Sequence, residues 1–147
     1  MQDFLHKLPQ FLGNHAALAA LFAILLAGLI VTQLGILFGK VKELTPGGLT
    51  LLINRHSPLL IDLSAIADFE KMHVPGARHV LMSQFDPEQK DLAKAKELPV
   101  VVIDKDGRGN SAKAAQRLVK SGFKQVYTLG GGVLSWQAAQ LPVAKGR

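Results

Sequence analysis

The feature that most limits the fold is an apolar stretch from Ala16 to Phe38, which is 23 residues long and has no charged side chain. As a helix it would be about 35 Å long, enough to cross a hydrocarbon core of about 30 Å. A surface helix of a water-soluble protein keeps a polar face, whereas only Thr32 and Gln33 are clearly polar here. The sequence therefore predicts one membrane-spanning helix over residues 16–38.

A cleaved signal peptide is the alternative for this segment. It would need a basic start, a shorter apolar core and a small-x-small cleavage site. The start instead carries both Asp3 and Lys7, and the stretch ends in GILFGK, so retention is favoured. Lys40 and Lys42 follow the span directly, whereas only Lys7 precedes it. The positive-inside rule therefore places the C-terminal part in the cytoplasm, with the lipid bilayer as the first partner of the chain.

The segments beside the span are short. Residues 1–15 form a mildly charged N-terminal segment and residues 39–43 a charged linker, which leaves residues 44–147 as the soluble domain. Within the span Ala19, Ala23 and Ala27 recur at every fourth residue, with Gly35 on the same face, and small residues at this spacing let two helices approach closely. A homodimer through the span is one hypothesis, although a simple abundance of alanine is favoured.

Composition excludes several classes of function. A chain of 147 residues suggests one domain, or one domain with an appendage. The net charge of +6 is scattered, and the chain has one Trp and one Tyr, so no basic stripe interleaved with aromatic residues points to nucleic acid. The sequence contains no Cys, which excludes disulfides, a thiolate nucleophile and Cys-bound metal.

A strand, a polar loop and a helix follow one another from Pro99 to Ser121. PVVVID is typical of a buried strand, and KDGRGN contains two glycines that allow a sharp bend. The helix carries apolar residues at helical spacing, with Ser111 predicted as its N-cap; these residues are Ala112, Ala115, Leu118 and Val119. A loop of this kind before a helix N-terminus can bind negative charge.

The rest of the soluble part alternates helices and strands. Thr45 and Pro46 open the first helix as its cap and first residue, with Leu49, Leu52 and Ile53 on its apolar face. The other predicted elements are strands at 58–63, 78–81 and 125–129 and helices at 83–97 and 133–139. This alternation predicts an α/β fold with a parallel sheet covered on both faces. The active crevice of such folds lies at the carboxyl ends of the strands, where residues 105–110 fall.

Four motifs in order resemble the rhodanese homology domain over Thr45–Pro142. Asp62-Leu63-Ser64 stands for Asp-x-Arg, and Met72–Ala77 (MHVPGA) for Gly-His-Ile-Pro-Gly-Ala. Ser111–Ala115, followed by Ser121–Phe123, is similar to the helix after the active loop, and Leu129–Trp136 fits Leu-x-Gly-Gly-x-x-x-Trp. The resemblance implies a rhodanese-like parallel sheet flanked by helices. Together with the span, the chain resembles membrane-anchored, single-domain rhodanese-like proteins of Gram-negative bacteria, which implies a single-pass protein of the inner membrane.

The resemblance also implies what is missing. The family's loop begins with a Cys that carries sulfur as a persulfide and ends in Arg-Ser. Either Asp104 or Lys105 takes the Cys position here, depending on the direction of counting, and Asn110 replaces the Arg. Neither residue can supply a thiolate. No catalytic residue is therefore expected in the vestigial loop, whose residues are Asp104, Lys105, Asp106, Gly107, Arg108, Gly109, Asn110 and Ser111.

Each candidate residue has a functional and a structural interpretation. Lys105, Arg108 and Ser111 are anion-binding candidates, although a simple turn is equally favoured because Asp104 and Asp106 offset the positive charge. The Asp104–Asp106 stretch could instead serve in acid–base chemistry or a metal site, but solvated turn residues are favoured, and neither metal nor cofactor is expected. Structural roles are favoured for five motif residues, namely Asp62 as a cap of backbone N–H groups beneath the loop, His73 as a hydrogen-bonded residue, Trp136 in the core, and Gly131 and Gly132 as backbone geometry.

Three functions follow from these observations. The favoured one is a membrane-tethered, catalytically inactive module that docks a cytoplasmic or membrane protein, or a small anion, at the loop. The alternative is an enzyme acting on a sulfur- or phosphorus-containing anion through Asp104, Arg108 and Ser111, with residual sulfurtransferase-like or phosphatase-like activity. The third is a structural role in which the span associates with a second copy.

Overall fold

The computed structural model describes residues 2–37 and 41–147, and it divides the chain into two units, Met1–Leu37 and Phe38–Arg147. The side chains of Phe4 and of residues 35–37 are not described. The parts of the predicted span and linker that fall on residues 38–40 lie outside the described residues. The two units are described separately below.

The first unit consists of two helices. Helix α1 spans Gln2–Asn14 and helix α2 spans Ala16–Leu37. Within the described residues, α2 is the one helix long and apolar enough to cross a bilayer, and none of Ala16–Leu34 is buried. Helix α2 therefore occupies the predicted span and is not a core helix of this unit. The sequence analysis assigned no structure to residues 1–15, most of which form α1.

The second unit is built on a five-stranded parallel sheet with the strand order β1-β5-β4-β2-β3. Its strands are β1 (Lys42–Leu44), β2 (Leu59–Asp62), β3 (Arg78–His79), β4 (Pro99–Ile103) and β5 (Gln125–Leu129). Its helices are α3 (Pro46–His56), α4 (Ile66–Lys71), α5 (Lys90–Ala93), α6 (Asn110–Lys120) and α7 (Gly132–Ala138), with a 3₁₀ turn at Met82–Gln84. The predicted α/β architecture is confirmed.

Strand β4 is the centre of this unit because all five of its residues are buried. Side chains alternate along a strand, so Val100 and Val102 pack in one apolar cluster, and Val101 and Ile103 pack in the other. The first cluster includes residues of α6, and the second includes residues of α3 and α7. Both faces of the sheet are therefore covered, as expected for a parallel sheet.

The start of α3 follows the local sequence signals. Thr45 Oγ1 accepts a hydrogen bond from Gly48 N at 3.1 Å, and Pro46 is the first helical residue. Leu49 is fully buried, and Leu52 and Ile53 pack beside it against the same cluster. The predicted cap and apolar face of this helix are confirmed.

The predicted helix over residues 83–97 is wrong. Asp86 Oδ1 accepts a hydrogen bond from Glu88 N at 3.0 Å, which closes a local turn, and Pro87 disfavours helical backbone at the residue before it. Only the four residues of α5 are α-helical in this stretch, and the 3₁₀ turn at Met82–Gln84 covers its start. Of the predicted inner residues, Phe85 is buried, whereas Leu98 is 49% exposed.

The sheet begins earlier in the chain than the sequence indicated. Lys42 and Glu43 fall in the predicted linker, yet both belong to β1, which pairs in parallel with β5. Two of the three residues of this strand are exposed, so it has no buried apolar pattern that could have revealed it.

Candidate functional site

The loop after β4 folds around a carboxylate of the chain itself. Asp104 is 4% exposed and directly follows the last residue of β4. Its Oδ1 accepts a hydrogen bond from Gly107 N at 2.6 Å, and its Oδ2 accepts one from Ser111 N at 3.1 Å. The inward-facing N–H groups that could have held an external anion therefore already bind a negative charge.

Helix α7 fixes the same loop from the other side. Val133 N donates to the Asp104 carbonyl oxygen at 2.9 Å, and Leu134 N donates to the Lys105 carbonyl oxygen at 3.0 Å. A Cβ on Gly132 would collide with the Asp104 carbonyl and would lie 2.6 Å from Lys105 C. A Cβ on Gly107 would lie 2.7 Å from Gly131 N. Gly107 and Gly132 therefore allow the loop and the start of α7 to touch, whereas a Cβ on Gly131 would meet the Ser135 side chain.

The three predicted anion-binding residues do not converge. Lys105 Nζ pairs with Asp68 Oδ1 at 2.9 Å, Arg108 is exposed, and the Ser111 backbone N–H already binds Asp104. The predicted role of Ser111 as N-cap is wrong. Ser111 is the second residue of α6, the cap position is Gly109, and no side chain at that position caps the helix.

The prediction of solvated turn residues holds for two of the three positions. Lys105 and Asp106 are exposed, and Asp106 Oδ1 accepts a hydrogen bond from Arg108 N at 3.0 Å. Asp104 differs because it is buried. Its carboxylate tolerates burial through two backbone N–H donors, as an ionised group in a protein interior requires.

A cavity of about 370 Å³ lies beside the loop, and Lys105 of the loop is one of its lining residues. Three lysines line it, Lys71, Lys105 and Lys145, with Asp68 as the one acidic residue. The remaining lining residues are Ser64, Met72, Val133, Leu134, Gln137 and Val143. The cavity combines cationic heads with an apolar floor, an arrangement suited to an anionic group that carries an apolar part.

Ser64 adds an unpartnered polar atom to this cavity. The residue is 6% exposed, and its Oγ has no hydrogen-bond partner within the described part of the chain. Burial raises the pKa of the Asp62 carboxyl and the Ser64 side chain opposes that rise, so this hydroxyl acts on the buried carboxyl at the end of β2. In the sequence, Ser64 was noted only because it replaces the Arg of the Asp-x-Arg motif. That replacement was the one sequence signal that pointed to this position.

The C-terminal tail explains why Lys145 was missed. His73 and Ala144 exchange two backbone hydrogen bonds of 2.9 Å, one in each direction, and Gly146 N donates to the Glu70 carbonyl oxygen. This pairing brings Lys145 to the cavity that Lys71, at the end of α4, also lines. No local pattern predicts a contact between segments so far apart in the sequence.

A buried polar cluster supports the end of β2. Asp62 is fully buried, and its Oδ1 accepts a hydrogen bond from Ser64 N at 2.8 Å, while its Oδ2 is unpartnered among the described residues. Asp62 therefore caps the turn that follows β2, whereas the prediction placed its partners beneath the loop. His79 Nε2 donates to the Ser64 carbonyl oxygen at 2.7 Å and fixes the same turn.

His73 and Trp136 have partners of their own. His73 Nδ1 donates to the Phe69 carbonyl oxygen at 2.8 Å, and its ring stacks on the Phe69 ring at 3.8 Å. Trp136 is 4% exposed, and its Nε1 donates to the Pro142 carbonyl oxygen at 2.7 Å. The Trp136 side chain and the backbone of His73 therefore join the tail to the body of the unit.

Burial raises the pKa of Asp62 above its ordinary value of 3.8, and the side chain and the backbone N–H of Ser64 oppose that rise only in part. Between the ordinary and the raised pKa the folded state binds more protons than the unfolded state, so the stability of the native protein falls as pH rises through that window. Asp62→Asn removes this titration. We expect the free energy of unfolding of the variant, relative to the native chain, to rise across the window and to level off above it.

Urea unfolding of both full-length proteins in detergent, at a series of pH values from about 4 to 8, measures this difference. The side-chain amide that Asp62→Asn introduces does not titrate and adds the same offset at every pH, so the change with pH is the informative quantity. A difference that stays constant over the whole series would contradict the assignment.

Comparison with known proteins adds sequence relatives. The profile of the rhodanese-like domain matches residues 45–139. The protein YibN of Escherichia coli strain K12 is 35% identical over 144 residues, which cover 97% of this chain and 100% of that protein. The thiosulfate sulfurtransferase GlpE of Coxiella burnetii strain RSA 331 is 35% identical over 88 residues, or 59% of this chain and 78% of that protein.

Solved structures share the fold. A thiosulfate sulfurtransferase from Pseudomonas aeruginosa superposes with a TM-score of 0.63 at 25% identity, covering 74% of this chain but only 20% of that one. A rhodanese-related protein from Thermoplasma volcanium superposes with a TM-score of 0.59 at 18% identity, covering 70% of this chain and 97% of that one. The second likeness is one of fold alone.

Proposed function

The chain belongs to the rhodanese-like domain family, and we propose that it acts as a membrane-anchored binding module of that family rather than as a sulfurtransferase. The single observation that carries this proposal is the buried Asp104 carboxylate, which the loop N–H groups of Gly107 and Ser111 enclose. The chain contains no Cys, and a carboxylate cannot carry sulfur as a persulfide.

The side-chain directions support Asp104 as the residue in the place of the family's Cys. Counting along the sequence left Asp104 and Lys105 as alternatives. The Asp104 side chain turns into the loop, whereas Lys105 turns out to Asp68. The nucleophile position is thus filled by a group that already has its hydrogen bonds.

Binding is proposed for the cavity beside the loop rather than for the loop itself. Its three lysines outnumber its one carboxylate, and within the described residues Lys71 and Lys145 take part in no ion pair. The ligand chemistry that fits is a carboxylate, phosphate or sulfur oxyanion, either on a small molecule or on an acidic segment of a docking protein.

The anchor is proposed from α2. The helix is long enough to cross the hydrocarbon core and has no polar face, and none of Ala16–Leu34 is buried. A signal sequence meets the same criteria of length and composition, but the features of a cleavage site are missing from the sequence, and the similarity to YibN extends over 97% of the chain. The excess of positive charge after the span supports a soluble domain on the cytoplasmic side of a bacterial inner membrane.

The alternative enzyme would need Asp104, Arg108 and Ser111 to act on one ligand. Asp104 is held by the loop, Arg108 is exposed, and the Ser111 N–H is already bound. This arrangement favours binding without chemistry at the loop.

Thermal unfolding of the full-length protein in detergent tests the proposal. We expect phosphate, sulfate or thiosulfate to raise the unfolding temperature with increasing concentration, beyond the effect of chloride at equal ionic strength. Because hydrogen bonds to charged groups contribute about 1.5–3 kcal/mol, the double variant Lys71→Met/Lys145→Met should weaken binding by about tenfold or more.

The matched control is Arg108→Met, which removes an exposed positive charge from the loop and should leave the anion effect intact. If Arg108→Met abolishes the effect and the double variant keeps it, the binding site is wrongly placed. Thiosulfate:cyanide sulfurtransferase turnover by the native chain would overturn the proposal of an inactive module.

A further inference from the structure

Helix α1 has one apolar side and one polar side. At 100° per residue, its large apolar side chains at positions 5, 8, 11 and 12 fall within an arc of about 120°, and its charged and amide side chains fall outside that arc. This separation is as complete as a helix of 13 residues allows. We call the apolar side of α1 the leucine face; its described members are Leu5, Leu8, Phe11 and Leu12.

The leucine face is exposed. The side chains of Leu5, Leu8, Phe11 and Leu12 are 63%, 39%, 59% and 45% exposed. Scattered exposed apolar residues are normal, but four along one face of a short helix form a continuous strip that favours burial. A lipid surface, a second copy of the chain or another protein could cover it.

Continuity with α2 points to the lipid surface. The two helices are separated by His15 alone, a turn residue that belongs to neither helix, so α1 and α2 are distinct helices joined within one residue. If α2 spans the bilayer, α1 begins at its surface. Because α2 would tether α1 to the bilayer, the effective concentration of lipid around α1 is high. Even a weak intrinsic affinity of α1 for lipid is then sufficient for binding.

The hydrocarbon core itself does not suit α1. Helix α2 alone is about 33 Å long, which is enough to fill the core. Asp3, His6 and Lys7 lie on the other side of α1, and Pro9 has no N–H to donate to the Leu5 carbonyl. A carbonyl without a partner is costly in hydrocarbon, whereas water reaches it at the interface.

We infer that α1 is an interfacial helix, which lies along the membrane surface with its leucine face among the upper acyl chains and its polar side in water. The inference rests on the proposed membrane anchor. The polar side carries Asp3 and Lys7, whose formal charges cancel, so binding depends on apolar burial and not on anionic lipid. Vesicles of pure phosphatidylcholine should therefore be sufficient.

The absence of Cys makes a labelling experiment straightforward, because a single introduced Cys is the only thiol in the chain. Full-length protein is reconstituted in phosphatidylcholine vesicles with an environment-sensitive fluorophore at one position. Leu8→Cys and Leu12→Cys place the label on the leucine face, and His6→Cys and Gln10→Cys place it on the opposite side. Ile24→Cys reports on the middle of α2.

The expected result is blue-shifted emission and several-fold weaker quenching by aqueous iodide at positions 8 and 12 than at positions 6 and 10. Position 24 should be protected most strongly. In a second variant, Leu8→Asp should restore quenching at position 12, whereas Gln10→Asp should not. Folding of the soluble domain does not enter any of these readouts, because label accessibility is measured on the first unit.

Every other result of the labelling experiment would contradict either the interfacial helix or the membrane anchor. Quenching at positions 8 and 12 with protection at position 24 would overturn the interfacial helix and leave the anchor intact. Quenching at position 24 would overturn the anchor, and the inference with it. Protection at positions 8 and 12 that disappears when the protein is diluted into excess lipid does not arise from lipid burial, and it would assign the leucine face to a second copy.

Discussion

Gly132→Ala is expected to lower the free energy of unfolding by about 3 kcal/mol or more, which is a large part of the ~5–15 kcal/mol that usually holds a domain folded. Two effects add. The Gly132 φ angle is +62°, a region that L side chains rarely adopt, and the new Cβ would lie 2.6 Å from Lys105 C and 2.7 Å from Asp106 N. All of these neighbours are backbone atoms, so no side chain can move aside to make room.

Two other glycines separate the causes. Gly122 has a φ angle of +91° with no atom near its Cβ position, so Gly122→Ala should cost only the conformational strain, about 1 kcal/mol. Gly47 lies in α3 with open space around it, so Gly47→Ala should be neutral or stabilising by up to about 1 kcal/mol. Urea unfolding of the full-length proteins ranks the three variants. A cost at Gly132 no larger than that at Gly122 would contradict the close contact between α7 and the loop.

Asp104→Ala is expected to have the second largest effect, a loss of about 2–5 kcal/mol of unfolding free energy. Two inward N–H groups, of Gly107 and Ser111, lose a charged acceptor, and each unsatisfied group of this kind costs about 1–3 kcal/mol. Asp104→Asn keeps one side-chain oxygen, and its amide nitrogen cannot accept, so an intermediate loss is expected.

The Asp104→Ala variant should also acquire an anion site that the native chain lacks. With the carboxylate removed, sulfate or phosphate can bind the freed N–H groups at the start of α6, and should restore part of the lost stability. The measurement is made in the Lys71→Met/Lys145→Met background, so that the neighbouring cavity does not contribute. If sulfate stabilises the protein equally with and without Asp104, the carboxylate does not occupy the N–H groups of Gly107 and Ser111.

The sequence was sufficient where the determining contacts are local. The cap at Thr45 and the buried strand β4 depend on neighbouring residues or on one continuous apolar run, and both were predicted. The family motifs were also identified correctly, since each is a short string. The prediction for Ser111 failed because the group that stabilises the start of α6 is Asp104, at the far end of the loop, and the positive φ angles of Gly107 and Gly109 allow the chain to turn back on it.

The cavity was beyond sequence reasoning for a related reason. Lys71 and Lys145 come together because the tail pairs with His73, and that pairing is decided by packing of the whole unit. The false helix over residues 83–97 arose from a polar stretch with a plausible apolar spacing, in which Asp86 and Pro87 stop the helix. In both the cavity and residues 83–97, the sequence showed which residues are charged or apolar but not how the backbone folds.

The carboxylate at the end of β4 also changes how the loop responds to the chemistry of its surroundings. A thiolate at this place would be converted by peroxide to sulfenic and higher acids, would form mixed disulfides with glutathione, and would react with alkylating agents. Asp104 undergoes none of these reactions, and its hydrogen bonds to the loop do not depend on the reduction potential of the compartment. The side chain that holds this loop is therefore one that these oxidants do not convert.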